Sequence, residues 1–222
     1  MMRNSVRPFA ALAVLLIAAA CAAPDAQRQA LPADTQVAAL QSVAAGVGTE
    51  VQAPEVAALA AGILAMSDLI DPAEAQRAAQ IAYEHTATLK AQYRITDGPL
   101  IHNIKVNRGD KPRGLCWHWA EDMQTRLNAE NFKTLELHRA IANYDNWRLE
   151  HSTAIISVRG ASMYDGMVLD PWRKGGTLFW ERVREDTRYN WTPRLEVFDW
   201  KRERGLLTVR YVTEAGVPIE SR

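Results

Sequence analysis

The sequence predicts an α+β domain in which helices come first and an antiparallel sheet follows. Three observations carry this. Apolar residues at helical spacing run from Glu55 to Tyr93 and again from Cys116 to Asn128. Alternation and β-branched runs take over from Phe132 onward. No internal repeat at solenoid periods interrupts the order. The 222 residues include 26 basic and 26 acidic side chains, so the chain lacks the basic footprint of a nucleic-acid binder. Two cysteines do not make the disulfide framework of a small secreted scaffold.

The first segment reads as a leader. Arg3 and Arg7 precede an apolar stretch, Phe9 to Ala20, too short to span a bilayer as a helix. Ala18-Ala19-Ala20-Cys21 resembles the lipobox of bacterial lipoproteins, in which small residues stand immediately before a cysteine. The competing reading is an ordinary secretory signal cut after Ala20 or Ala23. The lipobox implies removal of residues 1–20, acylation of Cys21 by a palmitate-type chain, and anchoring in the cell envelope. Ala22, where an Asp would resemble an inner-membrane retention signal, points to the outer membrane facing the periplasm. Loss of residues 1–20 removes Arg3 and Arg7 and no acid, leaving a formal net charge of −2. Residues 21–53, rich in Ala and Gln and free of aromatics, read as a tether with a short helix through Val37–Ala45. Residues 54–222 form the domain.

Within that domain, Glu55–Ile70 has helical character. Asp71-Pro72-Ala73-Glu74 is a helix start, with an N-cap carboxylate, Pro at the first position and Glu at the third. Ala75, Ala78, Ala79, Ala82, Leu89 and Tyr93 then share one face, and the helix ends near Tyr93, before Asp97-Gly98-Pro99. Leu100–Asp110 reads as loop or short strand. Arg113-Gly114 precedes a second helix, Cys116–Asn128, with Cys116, Ala120, Met123 and Leu127 on one face. The expected strands are Phe132–Ile141, His151–Val158, Met163–Asp170, Thr177–Val183 and Leu206–Val212.

Chemistry concentrates at Cys116. Free N–H groups and positive partial charge at a helix N-terminus stabilise a thiolate and can receive an oxyanion. A core role on the buried face of the same helix fits the spacing equally. A nucleophilic cysteine needs a base, and the base an orienting group. Of five histidines, His118 is two residues along the helix and points away from the thiol. His85 and His102 read as surface or capping residues, and His138 lies in a strand. His151 opens a strand, and Asp170 closes the next. A hairpin turning at Gly160-Ala161 would set His151 directly opposite Asp170, close enough to fix the imidazole tautomer. Turn chemistry alone also accounts for Asp170-Pro171.

The run Gly114-Leu115-Cys116-Trp117-His118-Trp119-Ala120, then His151 opening a strand, then Leu169-Asp170-Pro171-Trp172 closing another, resembles the transglutaminase-like superfamily of papain-type folds. The likeness covers about Leu89 to Phe198. It implies a papain/transglutaminase-like fold, with the catalytic helix packed on an antiparallel sheet, and thiol acyl transfer without a cofactor or metal. Cys116 would attack a protein or peptide amide, His151 would move the proton, and Asp170 would orient His151. Such enzymes also place an oxyanion donor upstream of the cysteine; Asn103 and Asn107 are candidates by position. The Ser-Thr-Ala-Ile-Ile after His151 departs from the aromatic or acidic alternation of many members. A papain-like cell-wall peptidase fits less well, since Asp-Cys-Ser is usual there and Leu115-Cys116-Trp117 stands here. A binding or scaffold module that keeps the fold and leaves the thiol unused is the remaining alternative. Trp117, Trp119, Trp172 and Trp180 read as groove or as core and rim. Arg173-Lys174 reads as a solvated turn or as a guide for acidic substrates, and Glu181–Arg188 as a surface face.

Overall fold

A computed structural model describes residues 53–206. The leader, nearly all of the tether and the expected strand beyond Leu206 lie outside the described residues. The chain runs through α1 (Ala53–Leu64), α2 (Pro72–Gln92), α3 (Pro99–Arg108) and α4 (Cys116–Asn128), then β1 (Leu135–Ala142), β2 (His151–Val158), β3 (Met167–Asp170), β4 (Phe179–Arg182), β5 (Thr192–Pro193) and α5 (Arg194–Glu203). The strands form one antiparallel sheet in the order β4-β3-β2-β1-β5. Helices first and sheet second is the α+β order the sequence predicts.

Each helix start has a local cause. The Asp71 carboxylate accepts hydrogen bonds from Ala73 and Glu74 N–H, with Pro72 at the first helical position. Glu74 does not close a capping box. It is buried and accepts from the N–H groups of Lys133 and Thr134 and from the Thr134 hydroxyl, tying α2 to the chain entering β1. The alanine face of α2 is buried together with Leu89 and Tyr93. Small side chains there let α1 and α4 pack close, around Leu59, Ile63, Met123 and Leu127.

Three expectations are corrected. Residues 99–108 form a helix where a loop or short strand was expected. Pro99 fixes φ at the first position, and Gly109 at φ 85° ends the helix in the left-handed conformation, so its punctuation outweighs its weak apolar period. Met163–Asp165 is a 3₁₀ turn capped by Ser162, leaving only Met167–Asp170 as strand. The helix α5 was not expected at all.

Strand β2 is the centre of the sheet and is buried from His151 through Ser157. One side of the sheet carries α4, which packs on β1 and β2. The other holds a smaller cluster of Ala140, Ala142, Ile155, Val168 and Trp191.

Candidate active site

The nucleophile candidate sits where a helix end meets the central strand. Cys116 is the first residue of α4, half-buried, and its thiol faces the carbonyl of Glu150 at 3.9 Å. Glu150 immediately precedes His151, so the N-terminus of α4 abuts the start of β2.

The loop leading into Cys116 is held from three directions. Leu115 at the N-cap position has no polar side chain, and His118 supplies the cap. Its Nδ1 accepts hydrogen bonds from the N–H groups of Gly114 and Leu115, both at 3.1 Å. Trp119 Nε1 donates to the Gly114 carbonyl at 3.1 Å, and His102 Nε2 donates to the Arg113 carbonyl at 2.8 Å. Burial, followed by the charge of Arg113, pushes His118 down to about 4, which keeps the imidazole neutral and its Nδ1 an acceptor. The N–H groups of Cys116 and Trp117 have no protein acceptor among the described residues. They point beyond the helix end, where a developing oxyanion could be received. His118 thus faces away from the thiol, as its position two residues along the helix predicts, and it is the cap of the thiol's own helix. The third helical position is where a side chain can reach back to the N-cap N–H, and His118 at that position was the available sequence signal.

His151 and Asp170 meet, although not through the expected pairing. The observed register sets Ala154 opposite Leu169, Ile155 opposite Val168 and Ile156 opposite Met167. Continued, it places Asp170 opposite Thr153, two residues from His151. His151 and Thr153 project to the same face, so the contact is made diagonally. The extra residues are taken up by the 3₁₀ turn before Gly166. His151 Nε2 lies 2.7 Å from Asp170 Oδ2, with both side chains almost fully buried at 2% and 1% exposure. The other ring nitrogen, Nδ1, is buried without a hydrogen bond, and Cys116 is the group that acts on the ring after Asp170. Burial alone would lower the imidazole's value. The charge and hydrogen bond of Asp170, and then the interaction with Cys116, overcome it and push His151 up to about 9. For Asp170, burial opposes ionisation, but His151 and Arg173 hold the carboxyl below its ordinary value.

An aromatic wall surrounds the imidazole. The rings of Trp172, Tyr189 and Trp191 lie 4.6, 4.7 and 5.5 Å from it. Trp172 Nε1 donates to Asn103 Oδ1 at 3.0 Å, which brings α3 to the edge of the site. Asn103 is therefore within one side chain of His151, while Asn107 is exposed and holds no such contact. Trp119 is buried core, Trp117 is 36% exposed at the helix end, and Trp180 donates to the Tyr83 hydroxyl away from the site.

Arg173 is not a solvated side chain. Its Nε donates to Asp170 Oδ2 at 3.0 Å, its backbone N–H donates to Asp170 Oδ1 at 3.1 Å, and its guanidinium forks onto Asp186 at 3.2 and 2.7 Å. Asp186, inside the run expected to be a surface face, is buried and also accepts from Trp191 Nε1 at 3.0 Å. Lys174 is exposed.

The remaining histidines serve the scaffold. His85 bonds the Asp122 carbonyl, His138 bonds Ser157, and His102 is buried in α3, neither on the surface nor in a loop. A cavity of about 540 Å³, lined by Gly62, Trp180, Arg182 and their neighbours, includes none of Cys116, His151 and Asp170. It brings no candidate nucleophile to a base. Among the described residues no group of three or more His, Cys, Asp or Glu is placed to hold a metal, and no helix is long and apolar enough to cross a membrane. Comparison with known proteins finds no matching family model, no similar curated protein and no similar solved structure.

Proposed function

We propose that this protein is a cysteine acyl-transfer enzyme of the cell envelope, transglutaminase-like in its papain-type arrangement and anchored to a membrane through a lipid on Cys21. Its substrate is a protein or peptide amide. The observation that carries the reading is the buried His151–Asp170 pair at 2.7 Å, with the second ring nitrogen left for the thiol at the start of α4. A binding module has no need of a nucleophile, a base and a buried carboxylate in that order.

In this mechanism the Cys116 proton passes to His151 Nδ1, and sulfur attacks the amide carbon. The oxyanion lies against the N–H groups at the head of α4. As the C–N bond breaks, His151 returns the proton to the departing amine, leaving a thioester on Cys116. Water or a second amine then attacks the thioester carbon and gives its proton to His151. The thiolate leaves and takes that proton back, regenerating the starting state. Asp170 keeps Nε2–H directed at itself throughout, so that Nδ1 is the nitrogen that exchanges protons.

The test is acylation by an activated ester, p-nitrophenyl acetate, followed by intact-mass spectrometry. One acyl adduct is expected, located at Cys116 and absent from Cys116→Ala. In His151→Ala the acylation rate should fall roughly 10²–10⁴-fold, the range of a lost general base. A rate in the folded protein no greater than in the urea-unfolded chain, and indifferent to His151, would refute the enzyme and favour the scaffold module.

A further inference from the structure

Beyond the three residues that do chemistry, the fold builds a second pair of charges behind Asp170. Both are buried: the Arg173 side chain is 6% exposed and that of Asp186 1%. Arg173 touches Asp170 twice and Asp186 twice, and its guanidinium carbon lies 3.9 Å from the centre of the Phe179 ring and 4.8 Å from that of Tyr189. Asp186 is held in turn by Trp191 Nε1 and the Arg188 N–H. The same Tyr189 and Trp191 pack on the His151 ring. The carboxylate, guanidinium and second carboxylate therefore share one enclosure with the base.

Charge arithmetic gives this enclosure a purpose. With His151 protonated, the four side chains sum to zero. With His151 neutral, they sum to −1. Without Arg173 the two sums become −1 and −2, and a deeply buried Asp170 is left with a neutral imidazole as its only side-chain partner, an unfavourable state in a low-dielectric interior. We propose that Arg173 and Asp186 are positioning residues that aim Asp170 at His151 Nε2 and, as a balanced pair of charges, set how readily His151 gives up its proton. Arg173 lets the proton leave, and Asp186 keeps Arg173 from expelling it. The other titratable or charged groups facing His151 are Cys116 from α4 and Tyr189 from the segment before β5. Beyond them, Glu150, which precedes His151 in the chain, pairs its carboxylate with Lys201 of α5, and Arg188 lies over Tyr189. The relay's use in catalysis rests on the acyl-transfer reading, whereas its effect on His151 does not.

The experiment is a titration of His151 followed by imidazole ¹H–¹⁵N correlation in the full chain held in detergent, with the signal assigned by its loss in His151→Gln. No substrate is needed, so failure of the enzyme reading and failure of the relay are separate results. The wild-type midpoint is expected near about 9. Arg173→Gln should raise it by about one unit, a tenfold gain in proton affinity. Arg173→Lys, which keeps the charge, should bring it back to within about 0.3 unit of wild type. Asp186→Asn should lower it by about one unit. Simple loosening of the site moves every variant down toward the ordinary value of about 6.5, so a rise in Arg173→Gln is not a consequence of damage. A midpoint in Arg173→Gln that is unchanged or lower overturns the proposal. If Arg173→Gln does not fold, Asp186→Asn decides: a fall of about one unit supports the relay, whereas an unchanged midpoint, or a fall to the ordinary value of about 6.5 that marks a loosened site, overturns it.

Discussion

Gly114 is the position where one methyl group should do the most harm. Its φ of 120° lies in a region that side-chain-bearing residues rarely adopt. A Cβ there would overlap His102 Nε2 and stand 2.7 Å from His102 Cδ2. His102 is 1% exposed and cannot swing into solvent without giving up its 2.8 Å bond to the Arg113 carbonyl. Gly114→Ala therefore adds backbone strain of about 1–3 kcal/mol. Displacing His102 leaves a buried donor or acceptor unsatisfied, a further cost of about 1–3 kcal/mol. The sum, about 2–6 kcal/mol, is a large fraction of the roughly 5–15 kcal/mol that holds a typical domain together. Urea unfolding of wild type and Gly114→Ala, followed by tryptophan fluorescence, measures it. The same variant should acylate Cys116 more slowly under conditions where it remains folded, because the loop that sets the thiol has moved. A loss below about 1 kcal/mol, or unchanged acylation, would show that the clamp around residues 113–115 does not hold the thiol in place.

Two further predictions concern pH and location. His118 has a folded value near about 4, below its unfolded value, so the unfolded chain binds the extra proton and stability falls as pH drops from about 6.5 toward 4. His151 has the opposite sign: its folded value near about 9 makes its contribution complete below about 6.5 and lost as pH rises toward 9. Urea midpoints should therefore peak near pH 6.5, and His118→Gln, whose amide can accept the same N–H bonds, should flatten only the acid side; an acid limb unchanged in that variant would mean another group produces it. Replacing Cys21 with Ser should move the protein from the membrane to the soluble fraction on cell fractionation, and equal membrane retention would remove the lipid anchor.

What could be read in the sequence was whatever depends on local chemistry. The bounds of the helix at Cys116 and of the strand at His151 follow from short signals: a Gly before an apolar 3.6-residue period, and a β-branched run. The helix at residues 99–108 was missed for the converse reason. Leu100, Ile101 and Ile104 are exposed, so the short apolar period they make is weak and marks no packed face, and Pro99 and Gly109 are the clearer signals. Arg173 and Asp186 could not be recognised as partners, because nothing local distinguishes a buried fork across thirteen residues from two solvated charges in a charged run.

The pairing of His151 with Asp170 was anticipated through a register that the protein does not use, and the reason the contact survives is geometric. A slip of one residue would have turned Asp170 to the opposite face and broken the pair. The 3₁₀ turn shifts the pairing by two, which preserves the face, and an imidazole and a carboxylate together are long enough to span the diagonal. Face is set by the hydrophobic pattern, since Ala154, Ile156 and Leu169 must reach the core shared with α2 and α4. Position along the strand is set by the connection, which here is built from Ser162, a turn and Gly166. The site therefore inherits its side of the sheet from core packing and its final approach from side-chain length. The demand for a buried partner on Asp170 is met on the far side by Arg173, which is why a pair placed off-register is still closed at 2.7 Å.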